Sequence, residues 1–305
     1  MKYSFKLSVI IPVIYLTVYS RKAIRTIYHQ SSLNPEVCFI LSCSEQIKAE
    51  LTSIWKEEGR TNNVIIVASS IAESNYLRYR GFRFAESEYV YYQDCDDAVN
   101  YPLVLDGLDY CNGDNVVCFN INRRAYDEKG NEISNVLLYP SKDFEVHSIN
   151  TLMTYIVNKL IPKKILEKVK FYNIPFSQDL SLSFQLYELC PHFYHATCAY
   201  LYENNPKSTA GKKKTKRKSL LRVVAMERIL LCLLNNPNNK AYVQYRYENI
   251  IQGRFAYLGE CYWPKFSCRA LNPFVFGMKG ANHHLYHYIR SYLSSVQVYM
   301  KSINK

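Results

Sequence analysis

Ten cysteines are scattered through the 305 residues, yet no two of them stand as C-x-x-C. In a chain this long, that pattern favours reduced thiols over a disulfide framework. The stretch "CYWPKFSCRALNPFVFGMKGANHHLYH" orders Cys261, Cys268, His283 and His287 like a zinc finger. Its cysteines are too far apart for the usual zinc hairpin, so Tyr and His along an amphipathic helix is the better reading. The absence of an internal repeat argues against solenoids and propellers. No apolar run is long enough to span a bilayer. The opening "MKYSFKLSVIIPVIYLTVYSRKAIR" has Lys2 and Lys6 before an apolar run, but Pro12 interrupts it and no small-x-small cleavage site follows. "LSVIIPV" therefore reads as a first buried strand, with a retained signal anchor as the alternative. Residues 205–222, "NPKSTAGKKKTKRKSLLR", contain no acid at all. Such a run cannot pack and is expected to be a solvated loop.

What the chain does contain is an ordinary globular balance, 48% hydrophobic and 21% charged, with 28 tyrosines and a net charge of +12. Excess positive charge points to an anionic partner: nucleic acid, an anionic membrane surface or a phosphorylated substrate. Strand-like runs at 7–13, 36–42, 62–69, 88–94 and 114–126 alternate with helix-compatible stretches at 20–30, 45–58 and 72–86. That alternation implies an α/β domain whose sheet is largely parallel, with ligands outside the carboxyl ends of the strands. From about 150 to 205 the pattern becomes more helical. A helix at 220–236 and a Tyr-, Arg- and His-rich tail to 305 follow the basic run. The division expected is 1–205 catalytic domain, 206–222 basic loop and 223–305 helical C-terminal extension.

One stretch, "EYVYYQDCDD", ends a tyrosine-rich strand in three carboxylates: Asp94, Asp96 and Asp97. Like charges that close repel unless a lysine, an arginine or a divalent metal sits among them. Alternatively, the acids cap a short helix.

Several segments in order resemble the family-two glycosyltransferases of the GT-A fold, especially bacterial enzymes that build surface polysaccharides. "SVIIPV" is similar to their first strand, with Pro12 at the donor side. "RKAIRTIYHQSSLNPEVCFIL" is similar to the helix, turn and second strand that follow. "LRYRGFRFAESEYVYYQDCDD" resembles the run from A-R-N-x-G to D-x-D-D. "NKLIPKKIL" with "FSQDLSLSFQLY" resembles an acceptor-side element and the later E-D motif, and "YLYENNPKSTA" the closing Asn-Pro-x-Ser segment. The resemblance implies a mixed, mainly parallel Rossmann-like sheet flanked by helices. It implies that Asp94 and Asp96 bind the donor and a Mn2+ or Mg2+ ion, with Asp97 in support, and that Asp179 is the catalytic base. It also implies that Arg78 pairs with the nucleotide phosphates, unless it is a surface arginine, and that Gln178 and Lys159 support the acceptor side. The partners implied are a nucleotide-sugar, UDP-linked by preference, and a lipid-linked glycan acceptor. The location implied is cytoplasmic, peripheral on the inner face of the membrane.

Four positions depart from the family pattern. Ser42 and Cys43 stand where an Asp usually reads the base; Ser42 can still hydrogen-bond a base, and Glu45 could bend back. Tyr79 replaces Asn, Gln178 replaces Glu, and Glu203 replaces Arg. Lys207 or Lys212–Lys214 would then serve as cations if the basic loop closes over the donor. A pseudoenzyme that binds without turnover is the rival reading. A nucleic-acid-binding protein is disfavoured, because carboxylates in a phosphate groove would repel the ligand.

Overall fold

The computed structural model describes residues 5–59, 61–127, 131–138, 155–171 and 178–204. The basic run, the C-terminal extension and the Cys261, Cys268, His283 and His287 set all lie outside the described residues. Among the described residues, nine strands form one mixed sheet: β1 Leu7–Val13, β2 Val37–Ser44, β3 Val64–Ser69, β4 Tyr89–Tyr92, β5 Ala98–Val99, β6 Val116–Tyr126, β7 Glu132–Leu138, β8 Lys159–Pro162 and β9 His192–Asn204. Their order is β3-β2-β1-β4-β8-β6-β9-β5, with β7 paired to β6.

The first four neighbours are parallel, in register from Leu7 opposite Val37 and Tyr89. β1 and β2 are buried along their whole length, as strands covered on both faces must be. Helices α1 Val18–Leu33 and α2 Glu45–Glu57 link β1 to β2 and β2 to β3, and α3 Ser74–Phe82 returns the chain from β3 to β4. Right-handed crossovers put α1 and α2 on one face and α3 on the other. The contacts agree. A Cβ added at Gly81 of α3 would stand 2.5 Å from Ile10 Cγ2 and 3.5 Å from Ser42 Cβ. Phe39, of opposite parity to Ser42, stacks edge-on against Tyr101 at 4.9 Å, at the start of the short helix α4 Tyr101–Asp106.

α1 starts at a reciprocal capping box: Thr17 Oγ1 accepts the Ser20 N–H at 3.1 Å, and Ser20 Oγ accepts the Thr17 N–H at 2.6 Å. Asn63 then staples the far end, its Nδ2 lying 2.9–3.1 Å from Ser31 O, Asn34 O and Val37 O, three acceptors that share its two hydrogens.

Beyond β4 the sheet turns antiparallel through β8, which pairs with both β4 and β6. Here the helical reading of 150–205 fails in part. Helix α5 Lys163–Leu166 and helix α6 Gln178–Leu189 are present, but residues 192–204 form the longest strand, β9. "HFYHATCAYLYEN" is dense in aromatic and β-branched side chains, which suit a pleated surface. Parallel pairing along β6 fixes it there.

Candidate active site

Strand period decides where the aspartates go. The ladder continues one residue past β4, with Gln93 N–H donating to Ile10 O at 3.1 Å. Tyr92 lies opposite Ile10, on the α3 face, so Asp94 points the same way, while Tyr91 and Gln93 face α1. Gln93 anchors the turn from below. It accepts from the Tyr101 hydroxyl, and its Nε2 donates to Asp97 O at 2.9 Å.

On the α3 face Asp94 meets Arg78. Arg78 Nη2 donates to Asp94 Oδ1 at 2.9 Å, and Nη1 stands 2.8 Å from Asp179 Oδ1. The guanidinium is only 3% exposed, which rules out the surface-arginine reading. Asn75, Arg78 and Gly81 recur at helical spacing on the buried side of α3. Gly81, without a side chain, lets that helix lie close enough for Arg78 to reach under the loop. Asp179 arrives from the first turn of α6. Three residues far apart in the chain are thus tied through one cation. Burial alone would lower the Arg78 pKa, but Asp179 and Asp94 outweigh it and hold the group charged. Burial pushes the Asp179 carboxyl up, against the opposing pull of Arg78 and Lys159.

Asp97 does different work. It is buried, accepting the Tyr200 hydroxyl at 2.6 Å and the Glu203 N–H at 2.8 Å. Burial, then the neighbouring Asp94 and Asp96, push its pKa well up. Its supporting role is therefore to fasten β9 to the aspartate loop. The Glu203 main chain makes that bond, so the change from Arg to Glu leaves it intact. Tyr200 is the residue that sequence reasoning missed; nothing in "CAYLYEN" distinguishes it from its neighbouring tyrosines.

The remaining expected residues divide. Lys159 is fully buried in β8, its ammonium donating to Tyr155 O and to Asn158 Oδ1 at 3.0 Å, and burial lowers its pKa. Pro12 is buried opposite Ser42 at the end of β1. Ser42, expected to meet the base, is fully buried beneath Gly81. Its even-numbered parity turns it under α3 rather than out of the sheet edge. Gln178 opens α6, beside Asp179. Tyr15, 48% exposed just after β1, is the exposed ring at that end of the strand. Lys207 and Lys212–Lys214 lie outside the described residues.

Among the described residues, no three His, Cys, Asp or Glu side chains are placed to hold a metal by themselves. Asp94 and Asp96 nonetheless leave two partly exposed carboxylates in the loop beside the Arg78 cation. This fits a hard cation held by one or two carboxylates and completed by substrate phosphates. Asp96 would be its principal ligand, with Asp94 shared with Arg78.

A mixed sheet of this order, flanked by helices on both faces and carrying the aspartate loop at the end of its fourth parallel strand, is the GT-A architecture. Two solved structures are similar to it across nearly the whole chain. One is S. aureus TarS 1-349 in complex with UDP-GlcNAc, with a TM-score of 0.63 at 13% identity, over 98% of this chain and 92% of that one. The other is the mannosyltransferase PcManGT from Pyrobaculum calidifontis with GDP-Man and Mn2+, with a TM-score of 0.55 at 10% identity, over 97% and 86%. At such identities the likeness establishes the fold. No family model and no curated protein matches the chain.

Proposed function

We propose that the protein is an inverting, divalent-metal-dependent glycosyltransferase that moves a sugar from a nucleoside diphosphate to a glycan acceptor. The observation that carries this reading is the Asp94–Arg78–Asp179 bridge at the carboxyl edge of a GT-A sheet. It joins the loop suited to a nucleotide-sugar and its cation to a carboxylate suited to proton abstraction.

Transfer makes two demands: charge develops on the leaving diphosphate, and the acceptor hydroxyl must lose its proton. A bound Mn2+ or Mg2+ supplies the neutralising charge. Asp96 and Asp94 would hold that ion, and Arg78 fixes Asp94. Asp179 takes the acceptor proton on a carboxylate oxygen. Its raised pKa keeps the base closer in strength to the hydroxyl than an exposed aspartate would be. Attack from the side opposite the departing nucleotide inverts the anomeric carbon.

UDP-sugar is the donor class we favour, and the UDP-GlcNAc and GDP-Man complexes of similar folds support a diphosphate donor. The burial of Ser42 leaves the base to be recognised by other groups, Tyr15 foremost. A lipid-linked or polymeric acceptor, met at the inner face of the membrane, accords with the net charge of +12 and the basic run at 206–222. Among the described residues no helix is long and apolar enough to cross a membrane.

The test is a thermal-shift screen of nucleoside diphosphates with and without Mn2+, followed by donor hydrolysis. Stabilisation that requires both Mn2+ and nucleotide, with slow hydrolysis, is expected. Binding without hydrolysis would indicate a pseudoenzyme, and stabilisation by an oligonucleotide alone would overturn the reading.

A further inference from the structure

On the face away from Arg78, the aspartate loop forms one wall of a second cleft. It has a volume of about 310 Å³ and lies between α1 and the ends of β5, β6 and β9. Tyr19 and Lys22 of α1 line it, with Asp96 of the loop, Tyr126 at the end of β6 and Glu203 near the end of β9. Its size is at the lower end of small-molecule sites, which run from about 300 to 1,000 Å³.

The lining restricts what can enter. Asp96 and Glu203 are the acidic residues of its wall and Lys22 the basic one, among apolar Val18, Ala23, Ile27 and Val99, while buried Asp97 gives its oxygens to Tyr200 and the Glu203 N–H. The other cations of this part of α1 are turned away: Arg21 pairs with Glu50 at 2.5 Å, and Arg25 with Glu57 and Glu58 at 2.8 and 2.5 Å. A phosphate would meet repulsion there. A purely apolar ligand would strip water from carboxylates and give nothing back. A neutral ligand rich in hydroxyls satisfies both conditions: it donates to Glu203, accepts from Lys22, and lays its C–H faces against tyrosine rings.

We propose that this cleft is a saccharide site, taking a neutral sugar ring of a glycan chain, separate from the donor pocket but built on the same loop. The choice of a sugar over other polyhydroxylated ligands rests on the proposed transferase reading. The site makes the loop a shared wall: donor chemistry on the Arg78 side, glycan on the α1 side.

The experiment is saturation-transfer NMR on the full chain, without nucleotide or metal. The probes are methyl glycosides of glucose, galactose, mannose and N-acetylglucosamine, with glucose 1-phosphate as the anionic comparison. At least one neutral glycoside is expected to bind, and glucose 1-phosphate to bind more weakly. Tyr19→Ala, at an exposed position, should weaken glycoside binding on the order of tenfold. Lys164→Gln, at an exposed position outside the cleft, should leave it unchanged. No binding by any glycoside, indifference to both Tyr19→Ala and Tyr126→Ala, or preference for the phosphate would each overturn the proposal. Glycoside binding in a protein that hydrolyses no donor would leave this site standing while the transferase reading falls.

Discussion

Tyr200 donates its phenol hydrogen to Asp97 Oδ2 at 2.6 Å across 103 residues of chain, and the Tyr200 hydroxyl oxygen accepts the Asp94 N–H at 3.2 Å. One hydroxyl therefore holds both ends of the aspartate loop. Tyr200→Phe should cost about 1–3 kcal/mol of stability, read by urea denaturation. The hydrogen bond favours the charged form of Asp97, so the deficit should be larger at pH 8 than at pH 5. Combining Tyr200→Phe with Asp97→Asn should cost less than the sum of the two, because both remove one interaction.

Asp179 carries the proposed proton transfer. Asp179→Asn should lower kcat by about 10²–10⁴-fold while nucleotide affinity persists. Burial raises the Asp179 pKa, so activity should fall as pH drops through a value above the ordinary aspartate figure of about 3.9. Arg78 opposes that rise. Arg78→Met should therefore move the acid limb of the rate profile to still higher pH, and an unmoved limb would mean that another group titrates.

Gly81 sets how near Arg78 can come. In Gly81→Ala the new methyl would lie 2.5 Å from Ile10 Cγ2, so α3 must shift away from the sheet. A loss of about 1–3 kcal/mol is expected from overpacking. The donor KM should rise with it, because Arg78 and Asp94 separate.

His192 opens β9 half-buried, its Nδ1 within 3.1 Å of Cys190 O. Burial, then Lys159, lowers its pKa to about 3. The neutral ring is favoured in the folded state, so its contribution is complete above the ordinary histidine pKa and is lost as pH falls from about 6.5 towards 3. The limiting slope is about 1.4 kcal/mol per pH unit. His192→Gln should flatten the stability profile between pH 6.5 and 5.

Much of this was legible in the sequence, for reasons that can be named. The near-continuous apolar runs of β1 and β2 identify central parallel strands, because only strands covered on both faces can be that hydrophobic. The acid cluster after Tyr92 posed the question of its counter-ion, and Arg78 supplies one. The sequence left open whether Arg78 lies on a solvated helix face, and its burial beside Asn75 and Gly81 in α3 decides that. Ser42 shows what was not legible. Whether Ser42 or Cys43 faces α3 depends on pairing parity, and a slip of one residue exchanges every side chain between faces. β9 was obscured because its aromatics suit a strand or a packed helix equally until β6 is known to be its neighbour.

The order of synthesis gives the fastening of Asp97 a further meaning. Glu203, whose amide secures that carboxylate, leaves the ribosome 106 residues after it. At about 5–20 residues per second this is a wait of roughly 5–20 s. Throughout that interval β1 to β4 can assemble while the three acids stay hydrated. The burial of Asp97 is deferred until Tyr200, which compensates for it, has been made.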